Sequence, residues 1–289
     1  MLLEDGVLAD LKKPGYVAEE KFDGTRGIVI KKDGNVKIQN RHNVDYTRRI
    51  PEIVEAAQQI PGNFKIDGEL VYINPEGEIV FTPCQRRCAT TDYASRYYLM
   101  QTKGIKLHFY AWSLLQREDE NMENWGYLEQ KKVLHDLIPD KLRIRYTPHR
   151  FDLETFFQET KEQGQEGIVI KRENARYVHH RSYLWKKIKN WRHEVCNVVG
   201  YTPGKNSRKP FFGSLVLTQN GEYRGCVGSG FSDYELRSLK EKFVPEKRPS
   251  LAIGKTYTPI QPGLKAQIKY YQITDAGVMR FPVFEKIVS

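Results

Sequence analysis

A lysine between two strand-like segments is the first residue in this 289-residue chain whose surroundings suggest chemistry. Lys21 opens the run Lys-x-Asp-Gly-x-Arg within EEKFDGTRG, and Asp-Gly is a common turn sequence. A lysine amine attacks phosphorus only after it loses a proton, and its ordinary pKa is about 10.4. Burial, neighbouring cations or a divalent metal would lower that pKa. Lys21 is therefore either a solvated cation before a turn or a nucleophile.

Two carboxylates at the ends of apolar strands are the second set of candidates. Glu69 follows an Asp-Gly pair in KIDGEL, and Glu166 begins the apolar run EGIVIK. A carboxylate among apolar strands is costly unless a cation or a metal pairs with it. We expect a cation or a metal beside each of them; the alternative is an ordinary salt bridge at the rim of a sheet.

Basic residues complete the constellation. In YLWKKIK, strand alternation places Trp185, Lys187 and Lys189 on one face, with the two lysines roughly 6 to 7 Å apart. That span suits adjacent phosphates, and Arg26 and Arg41 could add to the positive charge on a triphosphate. The joint occurrence of these residues favours a nucleotide site over unrelated surface salt bridges.

The elements that must position these residues are mostly strands up to about residue 189. GIVIKKDGNVKIQN predicts a hairpin around Asp33-Gly34, and FKIDGELVYIN with EIVF predicts another across residues 75–77. Further strands are predicted in KLHFYAWSLL, EGIVIK and YLWKKIK. Apolar residues at helical spacing predict three helices, at about residues 50–57, 125–138 and 153–163.

The sequence changes character after Trp191. Short β-rich runs separated by Gly, Pro and Asn-Gly turns continue from there, with one helix that begins at a capping box from Ser232 to Glu235. A small five-strand barrel with one helix fits this segment. We therefore predict an α+β fold in two domains, residues 1–190 and 191–289.

Composition narrows the class of protein. A net charge of +10 and 12% aromatic residues favour nucleic acid over acidic lipid as a partner, although solubility explains the charge about as well. The cysteines form neither a disulfide scaffold nor a zinc signature, so free buried thiols are expected. With no signal-peptide core and no run of about eighteen apolar residues, we expect a soluble cytoplasmic protein without membrane association.

These residues, taken in order, resemble the motifs of the ATP-dependent DNA ligases within the covalent nucleotidyltransferase superfamily. The likeness runs from about Tyr16 to Ile287, and GYTPGKNSRKPFFGSLVLTQNGEYRGCVGSGFS is most similar to the ligase module of prokaryotic end-joining ligases. The resemblance implies an ATP-grasp-like nucleotidyltransferase domain of antiparallel sheets with flanking helices, followed by an OB-fold barrel. It also implies that AMP passes from ATP to Lys21, then to a 5′-phosphate, before a 3′-hydroxyl seals the nick.

The resemblance assigns a role to each candidate residue. Lys21 would carry AMP in a phosphoramide bond, and Glu69 and Glu166 would hold Mg²⁺ or Mn²⁺, with Glu69 also at a ribose-contacting position. Positions that contact adenosine, ribose or phosphates in the family are occupied here by Glu19, Arg26, Arg41, Trp112, Arg181, Lys187 and Lys189. Arg280 in RFPVF corresponds to the arginine that orients pyrophosphate.

Three features depart from the family pattern. The usual aromatic-aspartate pair is Trp112-Ser113 here, so an indole can stack on adenine but the aspartate's role is lost or moved. Lys171 has the opposite strand parity from Glu166, which leaves its contact with phosphate open. The basic run that usually follows RFPVF is replaced by EKIVS.

The resemblance implies nicked duplex DNA as the partner of a monomeric, minimal ligase without an extra amino-terminal domain, with end-joining or repair proteins as further partners. An RNA ligase or a capping guanylyltransferase is the alternative within the superfamily, and a non-catalytic nucleic-acid-binding module is the alternative from another class. Covalent adenylylation separates the module from the enzymes. Sealing of nicked DNA and nicked RNA with ATP and GTP separates the enzymes from one another.

Overall fold

The computed structural model describes residues 2–247, 253–274 and 276–288. The chain divides into two compact units, Met1–Lys189 and Asn190–Ser289. Every helix in the described ranges is too short or too polar to cross a lipid bilayer.

The described residues of the first unit form ten strands and five α-helices. Its strands are β1 (Leu2–Asp5), β2 (Tyr16–Glu20), β3 (Thr25–Lys32), β4 (Asn35–Asn40), β5 (Phe64–Tyr72), β6 (Leu107–Arg117), β7 (Glu120–Asn121), β8 (Ile144–Tyr146), β9 (Gly167–Arg172) and β10 (Arg181–Lys189). Its α-helices are α1 (Pro51–Gln59), α2 (Phe81–Ala89), α3 (Tyr93–Tyr97), α4 (Tyr127–Leu137) and α5 (Leu153–Glu162).

The strands of the first unit form two sheets. One has the order β1-β10-β9-β2, in which only the β1–β10 pair is parallel among the described pairings. The other has the order β4-β3-β5-β6-β7, and β8 pairs with β6 in parallel. Because β2 belongs to the first sheet and β3 to the second, the four residues between them, 21–24, connect the two sheets.

The core of the second sheet follows the predicted periodicities. Strand alternation buries Ile66 of β5 and Leu114 of β6, and the apolar face of α1 adds Ile53 and Ala57 to the same cluster. Burial of such side chains contributes about 1.5–3 kcal/mol each. The helices predicted near residues 50–57, 125–138 and 153–163 are confirmed as α1, α4 and α5.

One predicted hairpin is confirmed and the other is wrong in part. β3 and β4 pair around Asp33 and Gly34, whose φ angles of 49° and 77° suit a two-residue hairpin turn. After β5, by contrast, Ile73 and Ile79 form only an isolated bridge, and Phe81 begins α2 instead of ending a strand.

The sequence did not predict α2 because its buried stripe is not apolar in the usual sense. That stripe consists of Cys84, Arg87 and Cys88. The fully buried guanidinium of Arg87 donates to both carboxylate oxygens of Glu52 in α1 at 3.0 Å. The helix α3 that follows was not predicted either, since it is five residues long and buries none of them.

The second unit is an antiparallel sheet with one helix in its described residues. Its elements are β11 (Arg192–Tyr201), β12 (Leu215–Gln219), β13 (Glu222–Val227), α6 (Asp233–Lys242), β14 (Thr258–Pro259), β15 (Lys265–Tyr270) and β16 (Val283–Val288). The strand order is β13-β12-β11-β15-β16, and the short β14 pairs with β11, which adds a sixth strand to the five predicted.

The helix of the second unit begins as its sequence predicts. Ser232 Oγ accepts the backbone N–H of Glu235 at 3.3 Å, and Glu235 Oε2 accepts the backbone N–H of Ser232 at 2.8 Å. This reciprocal pair is the predicted capping box. Leu236 and Leu239 of α6 then enter the core with Phe212 and Ile268.

Candidate active site

A cavity of about 300 Å³ in the first unit is lined by residues from both of its sheets. Nine side chains predicted from the sequence line this cavity: Glu19, Lys21, Arg26, Arg41, Glu69, Trp112, Arg181, Lys187 and Lys189. Glu166 joins them through ion pairs with two of these lysines. Arg280 belongs to the second unit, where its guanidinium carbon lies 4.9 Å from the ring centre of Phe281. The contact of Arg280 with pyrophosphate stays a prediction.

Lys21 lies directly after β2 and is held from two sides. Its Nζ donates to Glu166 Oε2 at 2.6 Å, and its backbone N–H donates to the Gly167 carbonyl at 2.9 Å. Lys189 Nζ lies 2.9 Å from the other carboxylate oxygen of Glu166. Glu166 reaches both lysines because it precedes β9, the strand between β2 and β10. The buried carboxylate thus holds the candidate nucleophile and a candidate phosphate ligand together.

Glu69 lies on β5, opposite Arg26 of β3 in the strand register. Loss of hydration raises the pKa of the Glu69 carboxyl to about 8; Lys21 and Arg26 oppose this rise, and Glu166 and Asp67 add to it. Acidic side chains that lie close together and have lost hydration, as Glu69 and Glu166 do, favour a cation between them.

The donor set fits the predicted metal. Across the described ranges no cluster of three or more Asp, Glu, His or Cys side chains could hold a metal ion. Mg²⁺ needs no such cluster, because it commonly binds one or two carboxylates and takes its other oxygens from substrate phosphates and water. Glu69 and Glu166 therefore suit Mg²⁺ or Mn²⁺ that arrives with a nucleotide.

Arg26 is fixed by an acid that the sequence did not single out. Its Nε donates to Asp67 Oδ1 at 2.9 Å and its Nη2 to Asp67 Oδ2 at 2.7 Å, and Nη2 also donates to the Tyr177 hydroxyl at 2.6 Å. Desolvation lowers the pKa of Arg26, but Asp67 outweighs it and raises the pKa overall. The available signal was Asp67, the acid before the Gly of KIDGEL. Asp67 is buried on β5, and β5 pairs with β3, the strand that carries Arg26.

A buried charge network surrounds Glu19. Lys131 of α4 donates to Glu19 Oε1 at 2.7 Å, the Tyr127 hydroxyl donates to the same oxygen, and Lys171 of β9 donates to Oε2. All four side chains are almost completely buried. Desolvation raises the pKa of Glu19, but the two lysines lower it overall. Desolvation also lowers the pKa of Lys131 to about 8.

This network gives Lys171 a partner and adds a residue that the sequence missed. Lys171 bonds Glu19 and also lines the cavity, although its contact with phosphate stays open. Lys131 was missed, and the available signal was its position: it lies between Tyr127 and Leu134 at helical spacing, where an apolar side chain is expected. A lysine at a buried helix position indicates a buried acid elsewhere.

Two tryptophans form an aromatic part of the cavity. Trp112 and Trp185 both line it, and the Nε1–H of each is buried without a hydrogen-bond partner in the described part of the chain. Trp185 shares its face with Lys187 and Lys189, whereas Lys186 bonds Asp10 at 2.8 Å on the other side. The strand alternation predicted for YLWKKIK is thus confirmed.

Residues at the cavity's edge contact the amino-terminal strand. Arg181 donates to the Leu3 carbonyl at 2.6 Å, and Lys187 pairs with Asp5 at 3.2 Å. Both contacts follow from the parallel pairing of β1 with β10. Glu20, next to the predicted Glu19, also lines the cavity, and desolvation raises its pKa to about 7.

Family models match most of the chain. The model described as ATP dependent DNA ligase domain matches residues 5–189, and the one described as ATP dependent DNA ligase C terminal region matches residues 208–288.

Curated relatives agree with these matches. The multifunctional non-homologous end joining DNA repair protein LigD of Mycobacterium tuberculosis is 27% identical over 97% of this chain and 37% of its own length. A DNA ligase of Ignicoccus hospitalis is 30% identical over 91% of this chain and 49% of its own length. The SPbeta prophage-derived DNA ligase-like protein LigB of Bacillus subtilis is 26% identical over 99% of this chain and 98% of its own length. The chain thus spans well under half of LigD.

Solved structures show the same fold. A mycobacterial DNA ligase D complexed with ATP and MES aligns with a TM-score of 0.58 and 24% identity over 99% of this chain and 93% of its own. A second structure comes from a study of Lig E DNA ligases that describes DNA binding with a minimal scaffold. It aligns with a TM-score of 0.68 and 20% identity over 99% of this chain and 98% of its own. The fold is therefore α+β, a nucleotidyltransferase unit followed by an OB-like unit.

Proposed function

Because the chain belongs to the ATP-dependent DNA ligase family, we propose that it seals 5′-phosphate/3′-hydroxyl nicks or breaks in duplex DNA with ATP as the AMP donor. The observation that carries the proposal is the cavity in which Lys21 lies beside Glu166 and eight further predicted nucleotide contacts. A rim of unrelated salt bridges would not bring residues from both sheets to one cavity.

The proposed reaction begins at Lys21. Its unprotonated amine attacks the α-phosphorus of ATP, an N–P bond forms, and the P–O bond to pyrophosphate breaks. AMP then passes to the 5′-phosphate at the nick, and the 3′-hydroxyl attacks that activated phosphate and releases AMP. The bond from Lys21 to Glu166 orients the nucleophile before the substrate arrives, which reduces the entropic part of the barrier.

Charge neutralisation is the second contribution of the cavity. Lys187, Lys189 and Arg41 would face phosphates whose negative charge increases during transfer. Arg26 is already oriented by Asp67, so little reorganisation is needed on binding. When bound at Glu69 and Glu166, Mg²⁺ or Mn²⁺ would offset phosphate charge as a Lewis acid.

The aromatic part of the cavity is where we place the base. Trp112 would stack on adenine in the role that the family pattern gives to its aromatic residue. The indole N–H of Trp185 suits a ring nitrogen of adenine, which accepts a hydrogen bond. Glu19 would set the position of Lys171 beneath this base.

The second unit would contact duplex phosphates. Lys205 and Lys209 of the run GKNSRK are exposed, whereas Arg208 donates to the carbonyls of Gly213 and Gly228 at 3.2 and 2.5 Å. Lys205 and Lys209 are thus the better candidates for phosphate contacts, and DNA binding should weaken steeply as salt rises. Likeness to LigD supports a role in end joining or repair. A cytoplasmic location, a monomeric state and partner proteins stay predictions.

Covalent adenylylation tests the proposal. The wild-type chain, incubated with α-labelled ATP and Mg²⁺ or Mn²⁺, should form an acid-labile protein adduct and seal a nicked duplex. Lys21→Ala should form no adduct, because the attacking amine is absent. Lys32→Ala removes an exposed lysine from the end of β3 and should behave as wild type. An acid-labile adduct in Lys21→Ala would contradict the assignment, and preferential sealing of nicked RNA would favour the RNA ligase alternative.

A further inference from the structure

A surface of the first unit outside the cavity carries three exposed tyrosines. Tyr93 and Tyr97 of α3 are 69% and 55% exposed, and Tyr98, next in the chain, is 45% exposed. The neighbouring Leu99 is buried and anchors the segment. Large aromatic rings that cluster in contact with water are typical of interaction sites. We refer to Tyr93, Tyr97 and Tyr98 as the tyrosine surface.

The rings of this surface are arranged for stacking. The ring centres of Tyr93 and Tyr97 lie 6.1 Å apart with 26° between their planes. The guanidinium carbon of Arg96 lies 5.3 Å from the Tyr93 ring centre, and Lys103 Nζ lies 5.6 Å from that of Tyr98. Cations at these distances contribute cation–π attraction and also place positive charge beside the exposed rings.

The charge around the tyrosine surface is positive. A groove of about 540 Å³ beside it is lined by Arg86, Asp92, Tyr98, Leu99 and small or hydroxyl side chains between residues 89 and 95. Asp92 is the acid in this lining, and its carboxylate already accepts the backbone N–H of Ser95 at 2.8 Å. Arg86, Arg96 and Lys103 outnumber it three to one. A polyanion with flat rings complements both the charge and the tyrosines.

We propose that the tyrosine surface binds single-stranded nucleic acid. Unpaired bases would stack on Tyr93, Tyr97 and Tyr98, and their phosphates would face the neighbouring cations. Bases inside a duplex are already stacked on one another, so the rings select unpaired strands. The inference rests on the proposed function of sealing DNA. The tyrosine surface would bind the single-stranded extension of a broken DNA end, and the separate cavity would carry out the sealing reaction.

This inference is tested by measuring how a fluorescein-labelled, fifteen-nucleotide oligo(dT) binds to the full chain, with fluorescence anisotropy as the readout. Tyr93→Ala/Tyr97→Ala should weaken binding at least about tenfold, because each stacked base contributes a factor of five or more. Tyr93→Phe/Tyr97→Phe keeps the rings and should bind within about twofold of wild type. Tyr234→Ala, which removes an even more exposed tyrosine of the second unit, is the control and should also bind as wild type.

The outcomes separate this inference from the proposed ligase activity. Unchanged oligo(dT) affinity in the alanine pair, or an equal loss in the phenylalanine pair or in Tyr234→Ala, would overturn stacking on this surface. If the alanine pair kept its oligo(dT) affinity but lost binding to a protein partner, the surface would be a protein-docking site. Adduct formation with labelled ATP should be unchanged in all three variants, because the tyrosines lie outside the cavity lining. Failure of the wild-type chain to form any adduct would instead contradict the proposed function.

Discussion

At the scale of single residues, the central feature is one buried carboxylate shared by two lysines. Glu166 accepts from Lys21 at 2.6 Å and lies 2.9 Å from Lys189 Nζ. Such an arrangement keeps the candidate nucleophile and a candidate phosphate ligand at fixed positions. In the proposed reaction, Glu166 would act through two separate contacts.

Glu166→Gln tests this feature. The amide keeps the shape of the side chain but loses its charge, so the Lys21 amine loses its ionic partner and the proposed metal would lose a ligand. We expect the rate of adduct formation to fall about a hundredfold or more, in line with the loss of a preorganised electrostatic contact. Single-turnover labelling with ATP measures the rate. Glu162→Gln, at an exposed position on α5, is the control, and equal rates in the two variants would argue against the role of Glu166.

The Glu19 network makes a different prediction, about stability. Glu19→Gln would leave Lys131 and Lys171 buried without a carboxylate, which costs about 3–5 kcal/mol when a buried pair is broken. Lys131→Met removes one of two cations and leaves Glu19 paired with Lys171, so we expect a smaller loss of about 1–3 kcal/mol. Urea unfolding measures both. A larger loss in Lys131→Met than in Glu19→Gln would show that the acid is not the centre of the network.

His108 on β6 predicts a pH dependence of stability. Burial, with Arg143 and Arg145 nearby, lowers the pKa of His108 from 6.5 to about 4. The unfolded chain therefore binds more protons at this side chain between about pH 6.5 and pH 4, and the free energy of unfolding falls as pH decreases across that range. His108→Gln should reduce this fall, measured by urea unfolding at several pH values. A profile in His108→Gln identical to that of the wild type would refute the assignment.

At the scale of elements, α1 and α2 are joined by a buried ion pair. The Glu52 carboxylate accepts both bonds from Arg87 and also the backbone N–H of Leu107 at the start of β6. One acid thus connects two helices and a strand. This arrangement explains why α2 has no recognisable apolar stripe in the sequence.

Arg87→Met should destabilise the first unit strongly. Glu52 would keep one backbone donor but lose its cation, and breaking a buried pair from one side costs about 3–5 kcal/mol. The double variant Glu52→Gln/Arg87→Met should recover part of this loss, because no uncompensated charge remains. Urea unfolding of both single variants and the double variant gives the coupling energy. Additive effects would mean that the pair contributes nothing beyond its separate side chains.

At the scale of the whole molecule, local patterns predicted most elements and few of the contacts between them. The hairpin at Asp33-Gly34, the helices α1, α4, α5 and α6, and the alternation of YLWKKIK all depend on neighbouring residues, so they are visible in sequence. The short α3 buries no residue of its own, and EIVF has strand-forming residues although Phe81 begins a helix. Propensity favours a strand there, and tertiary packing of α2 decides otherwise.

The sequence by itself determined which residues are candidates for the chemistry: Lys21, Glu166 and the cations of YLWKKIK stand in motifs whose spacing is a property of the chain alone. Only the tertiary structure decided their partners. Glu166 meets Lys21 and Lys189 because β9 lies between β2 and β10. Glu19 of β2 meets Lys131 of α4 although the two residues are more than a hundred positions apart in the chain. Such pairs depend on strand order and on buried electrostatics, because a charge removed from water must find its counter-charge wherever the fold places one.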